Sequence, residues 1–295
     1  MRALPPLLAI LALAACTPPQ PQEAVAPHYV VGKPYRIGGV WRYPREQFDA
    51  EETGLATVET RTTGLTADGE AVDPRAMAAA HPTLQLPCIV AVTNLDNGYQ
   101  VLVRVNDRGP PNPGRVIALT PRAIALLRAA DPQAVRVRVA VQQAESLRLA
   151  SDIGGADSPR LALAVVPLGE VTSEALPPPP GAAGAQPMHT AAAAPHNATL
   201  AAPPVPLRLP ESVTRVAPHP ASLYVDIAGF GHADYAGLLQ QRLAALGALV
   251  VLDYAAPREG AYRVRIGPLP GAADADAMLA RVIAQGFGDA RIVAE

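Results

Sequence analysis

Residues 101–115, VLVRVNDRGPPNPGR, constrain the fold more than any other stretch. Val101, Val103 and Val105 share one parity, the period-two pattern of a strand with one face in a core. Gly109, Pro110, Pro111 and Pro113 cannot continue that strand, so the chain must turn just after Asp107. A carboxyl group is thereby held at the end of a rigid element, flanked by the hydrogen-bonding side chains of Asn106 and Arg108. A barrel would present a general acid in such a place. The same residues also fit a plainer role, in which Asp107 caps the turn and Arg108 pairs with it.

Around this stretch the pattern predicts strands at residues 86–94, 99–106, 115–119 and 135–141, with Asp96-Asn97-Gly98 as a tight hairpin turn. In the last strand Val135, Val137, Val139 and Val141 alternate with Arg136, Arg138 and Ala140, which gives one dry and one wet face. Thr120 and Pro121 suit the N-cap and first position of one helix over residues 122–130. Short strands, one helix and many turns predict a small closed β-barrel over residues 54–143.

Fourteen of the 33 prolines fall between positions 159 and 220, among alanine-rich segments. Such sequence buries little and stays extended, so residues 144–221 are expected to be a disordered Pro/Ala-rich linker, of which about sixty residues have a root-mean-square reach of about 40 Å. Beyond it, residues 222–295 predict strand, helix, strand, strand, helix, strand: 223–230, 233–246, 248–254, 261–267, 272–285 and 290–293. Leu238, Leu239, Leu243 and Leu246 give the first helix one apolar face, and Gly247 stops it. The order is the split βαβ, ferredoxin-like plan of an α+β domain.

Composition narrows the chemistry. A net charge of −2, with 24 basic residues scattered, leaves no footprint for nucleic acid. Six dispersed histidines offer no metal-ligand cluster, and nothing calls for a cofactor. Cys88 lies in apolar Leu86-Pro87-Cys88-Ile89-Val90 and reads as a small core residue. Residues 1–15 have a short apolar run behind Arg2, right for a signal peptide and too short for a bilayer span. Leu13-Ala14-Ala15-Cys16 followed by a polar, proline-rich stretch resembles a bacterial lipoprotein signal. That resemblance implies lipidation of Cys16, a tether and lead-in over residues 16–53, and a membrane anchor. Thr17 is not the aspartate that commonly retains such proteins at the inner membrane, so the outer membrane is expected.

Four ordered motifs resemble the double-psi β-barrel domain of the rare lipoprotein A family: Thr66-Ala67-Asp68-Gly69-Glu70, Ala78-Ala79-Ala80-His81-Pro82-Thr83-Leu84, residues 92–98 (VTNLDNG) and residues 103–110 (VRVNDRGP). The resemblance implies an endolytic lytic transglycosylase of peptidoglycan that cuts MurNAc–GlcNAc bonds of peptide-stripped glycan strands to 1,6-anhydro ends. It places catalytic roles on Asp107, Glu70 and His81, with Asn106 and Arg108 as substrate contacts. The chain departs from the family's pattern in two places. Residues 57–64, TVETRTTG, stand where a Ser-Trp-Tyr-Gly and Phe-His-Gly pair is usual, and Ala118 stands where an acidic residue is usual. Both departures leave open a barrel that binds glycan without cutting it.

Residues 223–230, LYVDIAGF, and 262–268, YRVRIGP, are similar to the sporulation-related repeat (SPOR) domain. That family binds glycan strands stripped of stem peptides, which accumulate at the division septum. Tyr224, Phe230 and Arg263 are the expected glycan contacts there, with Tyr254 and Tyr262 as further aromatic faces. Asp226 stands where the family usually has glutamine. The expected protein is thus a periplasm-facing envelope lipoprotein, enriched at the septum, with denuded glycan strands and division-machinery proteins as partners. The alternative is an inactive glycan-binding lipoprotein.

Overall fold

The computed structural model describes residues 26–155, 208–253 and 261–295. The expected signal peptide, Cys16, Tyr254 and most of the proline-rich linker lie outside these residues. A lead-in hairpin, β1 (Tyr35–Ile37) and β2 (Val40–Arg42), precedes the barrel. The barrel strands are β3 (Glu51–Val58), β4 (Ala78–Ala80), β5 (Cys88–Asn94), β6 (Tyr99–Asp107), β7 (Ile117–Leu119) and β8 (Val135–Val141). They are ordered β4-β7-β3-β8-β5-β6, and pairing of β4 with β6 closes the ring. The β3–β7 and β4–β6 pairs are parallel and the rest antiparallel. Six strands are therefore closed into a barrel with no free edge along the ring.

The expected valines fill it. Val90, Val92, Val101, Val103, Val105, Val135, Val137 and Val139 are all buried in one core with Leu86, Ile117 and Leu119. Each such side chain contributes roughly 1.5–3 kcal/mol on burial. Cys88 is a buried free thiol in the same core, and burial pushes it up to about 12. It is a packing residue.

Two strands have no period-two signal in the sequence. Glu51-Glu52-Thr53-Gly54 begins β3 with residues poor in β propensity, and β4 is three alanines. Neighbouring strands on both sides supply the pairing that their own composition does not. Helix α1 (Pro121–Leu126) starts as expected, with the Thr120 hydroxyl accepting from the Ala123 amide. It ends short of residue 130. The Asn94 and Asn97 amides take the Leu127 carbonyl, each at 3.0 Å, and Arg128 turns to a φ of 48°.

The largest difference from expectation is α2 (Gln143–Ile153), within the span read as linker. Ser146, Leu149 and Ala150 are buried, and the packing partner is β5. The Ser146 hydroxyl accepts from the Ile89 amide at 3.0 Å and donates to the Ile89 carbonyl at 3.1 Å. Ser146→Ala leaves that buried amide without its acceptor. The expected cost is about 1–3 kcal/mol in urea unfolding, whereas Ser151→Ala, exposed on the same helix, is expected to change little.

The end of the span read as linker departs from expectation too: a short strand β9 (Val213–Arg215) pairs there with the start of β6. The C-terminal unit then follows the expected order: β10 (Leu223–Phe230), α3 (Ala233–Arg242) with a 3-10 turn at Ala244–Leu246, β11 (Leu249–Leu252), β12 (Tyr262–Leu269), α4 (Ala272–Ala284) and β13 (Arg291–Ala294). Its antiparallel sheet runs β11-β12-β10-β13, the ferredoxin-like order. Leu223, Val225, Val264, Ile266 and Ile292 face α3 and α4 in its core. The Arg115 guanidinium joins the two units through a two-pronged pair with Asp276 at 2.7 and 2.9 Å.

Candidate active site

The closing pair β4–β6 and the turn at residues 66–70 border a groove of about 410 Å³, within the size range of small-ligand sites. Ala78, Ala79 and Ala80 of β4, the adjoining Arg104, Asn106 and Asp107 of β6, and Glu70 line it. Strict alternation would aim Asp107 with the core valines of β6. A register shift intervenes: Ala79 pairs with Val105, but Ala80 pairs with Asp107. This bulge lets Asn106 and Asp107 both border the groove, as bulges beside active sites commonly do.

The Asp107 Oδ1 accepts from the backbone amides of Ala67 (3.0 Å) and Arg108 (2.8 Å). Its Oδ2 pairs with the Arg61 guanidinium. The carboxyl is 11% exposed and Arg61 46% exposed, so the arginine sits at the mouth and the acid beneath it. Glu59 fixes the loop that carries Arg61, because its Oε1 accepts from the amides of Thr60 (2.9 Å) and Arg61 (2.8 Å).

Gly69 makes the turn that presents Glu70. Its φ is +86°, and a Cβ there would stand 2.5 Å from the Ala26 carbonyl oxygen. The Glu70 Oε2 receives the Asn106 amide at 2.8 Å and the Arg104 guanidinium, while Oε1 is buried without a hydrogen bond. Asp68 is buried beside it and accepts from the Thr66 hydroxyl at 2.6 Å and the Glu70 amide at 3.2 Å. Burial, and then the neighbouring Glu70 charge, push Asp68 up to about 7. Its pKa is higher folded than unfolded, so it favours the folded state at acid pH, and that contribution is lost as pH rises from about 4 to about 7. Asp68→Asn keeps the acceptor and removes the charge. The variant is expected to match the wild type near pH 4 and to become progressively the more stable of the two as pH rises toward 7, measured by urea unfolding across pH.

The other expected residues lie elsewhere. The His81 ring is 1% exposed and faces away from the groove: Nδ1 accepts from the amides of Thr83 (3.2 Å) and Leu84 (3.1 Å), and Nε2 meets Glu52 at 2.8 Å. Two donors on Nδ1 fix the proton on Nε2, which makes the ring a donor to Glu52. Its backbone amide bonds the Asp107 carbonyl at 3.0 Å, so His81 touches the acid's main chain. The Arg108 guanidinium donates to the carbonyls of Val31, His81 and Leu84, tying the lead-in to the barrel rather than facing the groove. Ala118 is buried in β7, paired with Ala80 and Thr57.

On the helix-free face of the C-terminal sheet, Arg263 pairs with Asp226 (3.3 Å) and Asp253 (2.8 Å). Arg265 lies 5.1 Å over the Tyr224 ring and joins Asp226 to Glu295. Phe230 pairs across the ladder with Tyr262, and both pack partly on the core. Tyr224 and Arg263 therefore share a face, whereas Phe230, paired with Tyr262 on the parity of core Val264, turns to the helix side and not to that face.

Three functional candidates escaped the sequence reading: Arg61, Asp68 and Arg104. Arg104 alternates with core valines just as Arg136 and Arg138 do, which reads as the wet face of a strand, so its burial carried no local signal. Arg61 and Asp68 carried none that local patterning exposes.

Residues 52–139 match the family model for lytic transglycolase, and residues 220–292 match the model for the SPOR domain. A Pseudomonas aeruginosa (strain UCBPP-PA14) protein named endolytic peptidoglycan transglycosylase RlpA is 35% identical over 266 residues, covering 86% of this chain and 74% of its own. A Yersinia pestis protein of the same name is 36% identical over 154 residues, 44% of this chain and 43% of its own. The Escherichia coli K12 protein of that name is 39% identical over 104 residues, 35% of this chain and 29% of its own.

Proposed function

Because the chain belongs to the rare lipoprotein A (RlpA) family of endolytic peptidoglycan transglycosylases, we propose that its barrel cleaves peptidoglycan glycan strands with Asp107 as the single acid and base. The observation that carries this reading is the carboxyl of Asp107, anchored by two amides at the strand end and bordering a groove. As the C1–O bond of the muramoyl residue breaks, the Asp107 proton goes to the departing glycosidic oxygen. The same carboxylate then removes the proton of the sugar's own C6 hydroxyl, whose oxygen closes on C1. The product is a 1,6-anhydro end, and no water is consumed. One carboxyl group suffices, unlike the paired carboxylates of hydrolytic glycosidases.

Glu70 holds Asn106 and Arg104 in place along the groove, and Asn106 is the sugar contact beside the acid. His81 acts through the backbone of Asp107. The SPOR domain holds the chain on denuded strands at the septum through the face that bears Tyr224 and Arg263. A binder tethered to a cutter raises the local concentration of substrate. A lipid on Cys16 and contacts with division proteins complete the reading.

The test is digestion of purified sacculi, both intact and amidase-stripped, by the purified chain. Release of anhydro-muropeptides or anhydro-ended glycans is expected. If neither substrate yields them while the chain still binds sacculi, the barrel is silent and the protein is a glycan-binding lipoprotein.

A further inference from the structure

Among the described residues three arginines line the groove, and their partners differ. Arg104 is buried against Glu70, and Arg208 pairs with Asp73. Arg61 alone is paired with the proposed acid, and it is half exposed at the mouth. Its other hydrogen bond, to the Leu65 carbonyl, is long at 3.5 Å. The loop that carries it is the one in which this chain departs from the aromatic pair of its family, and Glu59 pins the Arg61 amide in place. The guanidinium is thus fixed at its root and exchangeable at its tip.

The pairing poses a chemical problem. A guanidinium favours the ionised form of a carboxyl beside it, yet a general acid must enter the reaction protonated. Something in the substrate has to draw Arg61 away. The muramoyl ring that contains the scissile C1 carries a lactyl ether. When the stem peptide has been removed, that group ends in a free carboxylate. When the peptide is present, the same carbon is a neutral amide. A carboxylate is the planar two-oxygen anion that a guanidinium fork binds best.

We propose that Arg61 reads the lactyl carboxylate of peptide-free muramoyl residues, exchanging Asp107 for it and so releasing the acid to take up a proton from solvent. Two carboxylates around one guanidinium repel each other, which favours protonation of the one that loses the contact. Arg61 is then a specificity residue for stripped glycan, and the barrel and the SPOR domain select the same chemical state of the wall. The inference rests on the transglycosylase reading above but is separable from it.

The experiment compares three substrates for the purified chain: amidase-stripped glycan, the same glycan with its lactyl carboxylates converted to methylamides, and intact sacculi. Wild type is expected to release anhydro-ended products from the first at least about tenfold faster than from the second and third, the scale of one charge-assisted contact. Arg61→Gln is expected to bring the first two rates to within about twofold of each other, and Arg61→Lys to restore part of the ratio. Arg61 is exposed enough that neither change should alter the melting temperature. Equal wild-type rates on stripped and methylamide glycan overturn the inference while leaving the transglycosylase reading intact, as does an unchanged ratio in Arg61→Gln. If no substrate is cut at all, the transglycosylase reading fails, and binding of the free-acid and methylamide disaccharides decides the point. The preference for the free acid must then fall at least about fivefold between wild type and Arg61→Gln, a difference in which the SPOR contribution cancels. An equal preference in both overturns it.

Discussion

Asp107→Asn is expected to lower the rate of anhydro-product release from stripped glycan by about a thousandfold, the scale of a lost general acid–base group. The asparagine Oδ1 can still accept from the Ala67 and Arg108 amides, so the strand end keeps its geometry. What disappears is the proton donated to the glycosidic oxygen and the carboxylate that takes one back from the C6 hydroxyl. Binding to sacculi is expected to persist, because the C-terminal sheet is untouched. A variant that retains more than about a tenth of wild-type rate would move the acid elsewhere, with Glu70, Glu59 and Asp73 the other carboxyls that line the groove.

The second large effect is on folding. The Arg104 and Glu70 side chains are 7% and 9% exposed, and Arg104 leaves two of its nitrogens without hydrogen bonds. Arg104→Met strands the Glu70 carboxylate with Asn106 as its hydrogen-bonding partner, and is expected to cost about 3–5 kcal/mol in urea unfolding. The double change Arg104→Met with Glu70→Leu removes both charges together. It is expected to recover most of that loss, because apolar replacement of a buried, incompletely satisfied ion pair is often neutral. Similar stability of the single and double variants would mean that Arg104 contributes through its packing alone.

How far the sequence carries the fold varies with the physics of each element. The valines of β5, β6 and β8 announce themselves by alternation, and the six elements of the SPOR domain appear in the expected order. The triple alanine of β4 carries no strand preference of its own, and its state is set by the strands beside it. Helix α2 was hidden by the alanines and prolines that follow it, although Ser146, Leu149, Ala150 and Ile153 recur at helical spacing. In the site, Asp107, Asn106 and Glu70 are legible because they sit within motifs and come together in space. The position of His81 is not, because the direction of a side chain at a closing strand depends on a bulge that no local pattern marks. Arg61 is unreadable for a related reason: its partner is 46 residues away, across the groove.

The central claim is that a sugar hydroxyl, and not water, closes on C1 while one carboxyl moves the proton both ways. Its most direct test is digestion of stripped glycan by the wild-type chain in water enriched in heavy oxygen, with the new ends read by mass spectrometry. The account requires ends one water lighter than a reducing sugar and free of heavy oxygen. Heavy oxygen at C1 of ordinary reducing ends would contradict it and make the barrel a hydrolase.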